Sequence, residues 1–270
     1  MPELPEVQTQ VDDLQVLIGR RIINIKSDTV KHFDPVFPAF RESVKGLAIE
    51  KIERRAKYLV FFLENQRVMV VHFRMTGHFL INAEDPFIRA VFILDNGINL
   101  NYSDIRKFGR FWLSDIHNYE RASGLDKLGV EPLSEKFTFE KFLEILKGRK
   151  GYLKSFLLNQ KYIVGIGNIY ADESAFISGL HPLTKLENLK LKHQKKLYNA
   201  IIESLRKGVE NRGTTIGEYV DTKGKHGKNQ HELLAYKRAG KKCLICGTEM
   251  ERIIVAQRGT TFCKKCQARL

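Results

Sequence analysis

Long apolar runs are missing from this chain of 270 residues. No stretch of about 18 uninterrupted apolar residues occurs, so a membrane-spanning helix is excluded. The start also lacks a basic segment followed by an apolar one, so no secretory signal is expected and a cytoplasmic location is the default. Cysteine is scarce: the four present all fall within the last 28 residues, so nothing before them is a disulfide scaffold. No internal repeat or low-complexity tract occurs. Acidic residues are outnumbered, with 45 Lys and Arg against 31 Asp and Glu, a formal charge of +14 and a pI near 9.6. Such an excess repels itself unless the partner is a polyanion. Nucleic acid fits better than an anionic membrane, because no basic amphipathic anchor is evident. From Lys223 to Leu270 the imbalance is sharpest, 12 Lys and Arg against three Glu.

What is present suggests two domains. The length accommodates two, and 43% apolar residues support a core in each. The opening "MPELPEVQTQ" reads as a helix start, with Pro5 and Glu6 suited to a first turn and Val7, Val11, Leu14 and Ile18 at helical spacing. Residues 20–115 read as strands rich in β-branched and aromatic residues, which implies a β-sandwich or flattened barrel. Asn96-Gly97 predicts a hairpin turn with positive φ at both central positions. Residues 116–135 lose periodicity and read as a linker. From Phe137 the pattern is helical: "TFEKFLEILKG" stopping at Gly148, two short helical stretches around "KYIVGIG", and a longer helix over roughly 186–207. The polar stretch after it, residues 213–231, reads as a mobile loop.

The cysteines form C-x2-C-x16-C-x2-C at Cys243, Cys246, Cys263 and Cys266. That is the spacing of a four-thiolate zinc site, with a pair of disulfides as the competing reading. A site closed by four thiolates leaves no position for water, so the expected metal is one structural Zn2+. Between the pairs, "ERIIVAQRGTTF" predicts a two-stranded ribbon with Gln257-Arg258-Gly259 near its turn. An Arg at such a tip suits a phosphate or a groove.

Six stretches occur in one order: "PELPEV" at the start, "RRAKYL" at 54–59, "HFRMTG" at 72–77, "DIRKFGR" at 104–110, "GIGNIYADE" at 165–173, and the terminal four-cysteine finger. Together they make the whole chain resemble the formamidopyrimidine-DNA glycosylase family. The resemblance implies an α+β, multi-domain fold. An N-terminal catalytic helix and β-sandwich would span residues 2–115, and the linker 116–135. A helix-two-turn-helix domain would span 136–235, with a lesion-recognition loop at about 213–231, followed by a zinc finger over 236–270. It also implies base-excision repair of oxidised purines, namely 8-oxoguanine and formamidopyrimidines, by glycosylase and abasic-site lyase chemistry. The partner would be double-stranded DNA containing oxidised bases or abasic sites, engaged by a monomer without any membrane.

The resemblance gives Pro2 a purpose. With Met1 removed, its secondary amine would attack C1′ and form an iminium that is cationic without protonation, which favours β,δ-elimination. Glu3 is implied as general acid and Glu6 as a supporting residue. Lys57 is implied on phosphate and in β-elimination, and Arg258 on phosphate and in δ-elimination. Because C1′ of a stacked nucleotide is inaccessible, Met75, Arg106 and Phe108 are implied to fill the space left by an extruded base. Arg89, Arg149, Asn168 and Tyr236 complete the implied DNA contacts.

Several positions depart from the family's habits. Asn229 precedes Gln230 where an aromatic residue or Met is usual. Gly217 stands where a basic residue is common, Tyr236-Lys237-Arg238 replaces Tyr-Gly-Arg or Tyr-Gly-Lys, and Arg89 replaces a frequent histidine. They bear on which damaged base is chosen. An endonuclease VIII-like enzyme for oxidised pyrimidines is the related alternative; a non-catalytic DNA-binding protein is the alternative from another class.

Overall fold

The opening stretch forms helix α1, Leu4–Leu14, in a computed structural model that describes residues 1–270. Pro5 lies in its first turn, where an absent N–H leaves no bond unmade, and Glu6 accepts the backbone N–H of Glu3 at 2.8 Å in a capping box. Leu4, Val7, Val11 and Leu14 are buried. Ile18 departs from the expected stripe. A 3-10 turn over Gln15–Leu17 ends the helical spacing, so Leu17 is buried and Ile18 is 41% exposed.

The chain folds as two units: Met1–Lys127 with Asn211–Lys228, and Leu128–Glu210 with Asn229–Leu270. In the first unit α1 is followed by β1 (Ile22–Ser27), β2 (Phe33–Asp34), α2 (Phe37–Val44), β3 (Ile49–Arg55), β4 (Tyr58–Leu63) and β5 (Arg67–His72). Then come β6 (His78–Ile81), β7 (Ile88–Leu94), β8 (Asn99–Ser103), β9 (Arg110–Asp115) and α3 (Tyr119–Ser123). The strands make a four-stranded sheet, β1-β7-β8-β6, and a five-stranded sheet, β2-β9-β5-β4-β3. Residues of both sheets, α1 and α2 share one core, so the unit is the expected sandwich. Phe79 lies at its centre, in ring contact with Phe61, Phe73, Phe92, Tyr102 and Phe111. β7 alternates buried and half-buried residues, whereas β5 is buried from Val68 to His72, which is why its sequence shows no alternation.

The β7–β8 hairpin differs from its expected turn. Gly97 donates to Leu94 at 3.1 Å and Leu94 donates to Ile98 at 2.9 Å, leaving Asp95-Asn96-Gly97 as a three-residue loop. Only Gly97 takes positive φ, +80°, and Asn96 instead accepts the Ile98 N–H at 3.1 Å. This is a type I turn closed by a left-handed glycine, for which one positive φ suffices. The stretch expected as a plain linker carries α3 and a 3-10 turn, Leu125–Lys127.

Residues 211–228 form no strand or helix, yet they are fastened to the first unit rather than loose. Arg212 pairs with Asp13 at 2.8 Å and Asp221 at 2.9 Å, and Thr222 donates to Asp13 at 3.0 Å. Ile81 donates to the Thr222 carbonyl at 2.8 Å, and Thr214 donates to Glu6 at 2.7 Å. These polar anchors replace the apolar content whose scarcity suggested mobility.

The second unit contains α4 (Phe139–Leu146), α5 (Leu153–Leu158), α6 (Asn168–Ile177), α7 (Leu191–Glu210), β10 (Glu251–Val255) and β11 (Arg258–Phe262). Thr138 caps α4 by accepting the Lys141 N–H, and Gly148 turns left-handed just beyond its end. The long helix starts later than expected because 186–188 form a separate 3-10 turn. Between α5 and α6 the chain makes a turn over 160–162 and a bend at Gly165, stitched by Gln160, which donates to Ile166 at 2.8 Å and accepts from Gly165 at 2.9 Å.

Candidate active site and nucleic-acid interface

The start of α1 is unusually polar for a buried place. Pro2, Glu3 and Glu6 are buried, and Lys57 is only 5% exposed. Lys57 sits in the two-residue connection Ala56–Lys57 between β3 and β4, where Ala56 takes φ +55°. Glu6 serves two backbones at once, accepting Glu3 at the start of α1 and Thr214 from the 211–228 segment. The Met1 amine, one residue ahead of Pro2, is held below its ordinary value of 8.0, chiefly by burial. Glu3 and Glu6 oppose that shift, while the cationic Lys57 and Arg106 reinforce it. An amine here sheds its proton more readily than one in water. Burial also keeps His72 neutral, its pKa pushed down to about 3, so its Nδ1 accepts the Arg74 N–H at 2.8 Å.

Met75, Arg106 and Phe108 lie on two loops of the same unit, β5–β6 and β8–β9. Met75 is half-buried and Phe108 is 51% exposed, far from the core role expected of a generic phenylalanine. The Arg106 guanidinium lies 4.9 Å from the Phe108 ring, so the two present a stacked pair. Arg89 is turned inward. It donates to the Asp104 carbonyl at 3.1 Å and pairs with Asp28 at 3.3 Å, bracing the root of the β8–β9 loop.

In the second unit, Asn168 opens α6 and donates from Nδ2 to the Gly259 carbonyl at 3.1 Å, while its Oδ1 is buried without a partner. Arg258 is exposed at the start of β11. The turn itself is Ala256-Gln257, at φ 49° and 59°, one step earlier than expected. Arg149 stacks 4.1 Å over Tyr162, and Tyr236 donates its N–H to Glu173 at 2.8 Å. The ribbon is bolted down by a residue that sequence reading missed. Lys154, fully buried, reaches Asp172 at 2.6 Å, Thr260 at 2.7 Å and the Gly259 carbonyl at 3.3 Å. Burial pushes the Asp172 carboxyl up to about 6 against the pull of Lys154. A single Lys in the apolar run "YLKSFLL" was the only signal.

All four cysteine sulfurs lie within 4.8 Å of one another, with Cys243–Cys266 at 3.8 Å and Cys246–Cys263 at 3.5 Å. A disulfide needs about 2.05 Å, so the paired-disulfide alternative fails. Thiolates at about 2.3 Å from a tetrahedral zinc lie near these separations. The donors fit one structural zinc, held by Cys243, Cys246, Cys263 and Cys266.

Asp104 and Thr76 were also passed over, although both stand inside quoted motifs. Asp104 is buried and Thr76 half-buried, and the motifs themselves carry no sign of that.

Comparison with known proteins extends the motif resemblance to the whole chain. Residues 1–111 match the formamidopyrimidine-DNA glycosylase N-terminal domain, 128–220 its H2TH domain, and 240–269 the zinc finger found in FPG and IleRS. The formamidopyrimidine-DNA glycosylase of Protochlamydia amoebophila is 42% identical over 278 residues, covering 99% of each chain. The crystal structure of MutM (Fpg) from Thermus thermophilus superposes with a TM-score of 0.90 at 35% identity over 98% of both chains. Lactococcus lactis Fpg, in complex with DNA containing an abasic site, gives 0.91 at 32% identity over 98% of this chain and 99% of that one. No helix of this chain is long and apolar enough to cross a membrane. With its sandwich, its two-turn helical unit and its four-thiolate finger all matched at such identity, the chain belongs to the formamidopyrimidine-DNA glycosylase family.

Proposed function

We propose that this chain is a base-excision DNA glycosylase and abasic-site lyase for oxidised purines, 8-oxoguanine and formamidopyrimidines, in double-stranded DNA, and that it works as a cytoplasmic monomer. The observation that carries the reading is the burial of Pro2, Glu3, Glu6 and Lys57 at the start of a chain of this family.

Once Met1 is removed, the Pro2 nitrogen attacks C1′ of the damaged nucleotide. The N–C1′ bond forms, the glycosidic bond breaks, and the amine's proton balances the one taken up by the departing base. Glu3 then protonates O4′ as the sugar opens, leaving a cationic iminium. Its charge acidifies C2′; loss of that proton expels the 3′ phosphate, and a second elimination expels the 5′ phosphate. Lys57 supports the first elimination and Arg258 the second, while Glu6 holds the helix start in place. Met75, Arg106 and Phe108 occupy the space of the extruded nucleotide, Arg149, Asn168 and Tyr236 serve the DNA contacts, and Arg89, implied as a DNA contact by the resemblance, instead braces the loop that presents Arg106 and Phe108. The zinc, closed by four thiolates, shapes the ribbon and takes no part in bond-breaking.

Borohydride reduction with abasic duplex DNA tests the reading: a covalent adduct is expected, and none forms with a mere binder. Its yield should rise with pH, because only the neutral amine has a lone pair with which to attack carbon. A yield that does not change with pH contradicts an amine nucleophile. In single turnover, 8-oxoguanine should be excised faster than thymine glycol; the reverse order selects the pyrimidine alternative. Replacing Cys246→Ser should release zinc and weaken DNA binding while leaving the first unit folded. Undiminished affinity after measured zinc loss would rule out the finger's role.

A further inference from the structure

The carboxylate of Asp104 is 0% exposed and accepts five hydrogen bonds. Oδ1 takes the Thr76 hydroxyl at 2.5 Å and the Arg106 N–H at 3.2 Å. Oδ2 takes the Phe108 N–H at 2.9 Å, the Gly109 N–H at 2.8 Å and the Tyr102 hydroxyl at 3.2 Å. Four of the donors come from the two loops that carry the exposed Arg106–Phe108 stack and Met75, and the fifth, Tyr102, comes from β8. Thr76 adjoins Met75 in sequence, and its Oγ1 also accepts the Arg106 N–H at 3.1 Å. The Tyr102 hydroxyl lies so close to Gly109 that a Cβ there would stand 1.6 Å from it, so only glycine admits this arrangement.

A buried carboxylate is costly unless its lone pairs are filled, and charge-assisted bonds to it are roughly twice as strong as neutral ones. Here they fix the backbones of Arg106 and Phe108 and tie them to the neighbour of Met75. Nothing in this network reaches the amine site through a hydrogen bond of Asp104. We infer that Asp104 is a positioning residue, which locks Met75, Arg106 and Phe108 into one arrangement and thereby governs extrusion of the damaged nucleotide rather than bond-breaking at C1′. This rests on the glycosylase reading above.

Asp104→Asn retains the shape but offers one acceptor oxygen. If that oxygen serves Phe108 and Gly109, the amide nitrogen opposes the Arg106 N–H. Thr76→Val, nearly isosteric, cuts only the link between the loops. Each variant is compared with wild type in single-turnover excision of 8-oxoguanine from duplex DNA and in borohydride trapping on a single-stranded abasic oligonucleotide, which has no opposing base to leave orphaned. Melting curves establish that each is folded. D104N should lose about tenfold or more on the duplex, the scale of one charge-assisted bond, and T76V a smaller part. Both should trap single-stranded abasic DNA within about twofold of wild type. The fluorescence rise of 2-aminopurine placed opposite the lesion should slow in step with the duplex rate. Equal losses on both substrates, or wild-type duplex rates in both folded variants, overturn the inference. Failure of wild-type protein to trap abasic DNA refutes the enzymatic reading itself.

Discussion

Leaving Met1 in place, or adding any residue ahead of Pro2, is expected to abolish covalent trapping and to lower excision of 8-oxoguanine by at least about a thousandfold. That is the scale on which loss of a nucleophile registers in enzymes that rely on one. The reason is covalent. An acylated proline nitrogen is a tertiary amide with its lone pair delocalised into the carbonyl, so it cannot attack carbon. The folded state should be indifferent, because the core begins at Leu4 and the capping box joins Glu3 to Glu6 without involving the terminal amine. DNA binding should persist for the same reason. The measurement is single-turnover excision beside an equilibrium binding isotherm, with mass spectrometry confirming the first residue. If the extended protein binds and cuts at the native rate, the terminal nitrogen is not the nucleophile.

The second large effect concerns stability. Lys154→Met should cost about 3–5 kcal/mol of the second unit's stability, because it strands a buried carboxylate. Asp172 would lose its counter-charge at 2.6 Å, Thr260 would lose the ammonium that donates to it at 2.7 Å, and the Gly259 carbonyl would keep the Asn168 amide but lose the ammonium. Domains are stable by only about 5–15 kcal/mol, so such a loss should be plain in urea or thermal unfolding. Replacing both partners, Lys154→Met with Asp172→Leu, should destabilise less than the single change, since no charge is left unpaired. A single variant as stable as wild type, or a double variant that is worse, would contradict this account. Because the pair holds Gly259, beside Arg258 and bonded to Asn168, the product pattern should also shift from β,δ- toward β-elimination.

The helix at residue 4 and the finger at residue 243 were legible for different reasons. Around Leu4, local rules agree: Pro and Glu in a first turn, apolar residues three and four apart, and burial to match. At the finger, thiolate spacing pointed to four ligands for one ion, and the sulfur separations removed the disulfide alternative. Ile18 was misplaced because periodicity does not report where a helix tightens into a 3-10 turn. The Asn96-Gly97 turn was mistyped because a dipeptide does not fix loop length, which the strand register decides. The stretch at 211–228 looked loose because composition counts apolar residues and cannot see that Arg212 and Thr222 both reach Asp13, about 200 residues earlier in the chain.

The candidate site divides in the same way. The residues proposed to carry chemistry, such as Pro2, Glu3 and Lys57, and the four cysteines stand in motifs that the family resemblance and the thiolate spacing bring to notice. Their supports escaped that notice. Asp104, Thr76, Lys154 and Asp172 are common polar residues, and what makes them consequential is burial together with partners brought from other parts of the chain. A sequence records which groups are available and how they are spaced along one strand, turn or helix. Whether a carboxylate is dry, and which five donors surround it, is settled only when distant segments pack and exclude water, because the strength of a polar interaction depends on the medium that packing creates.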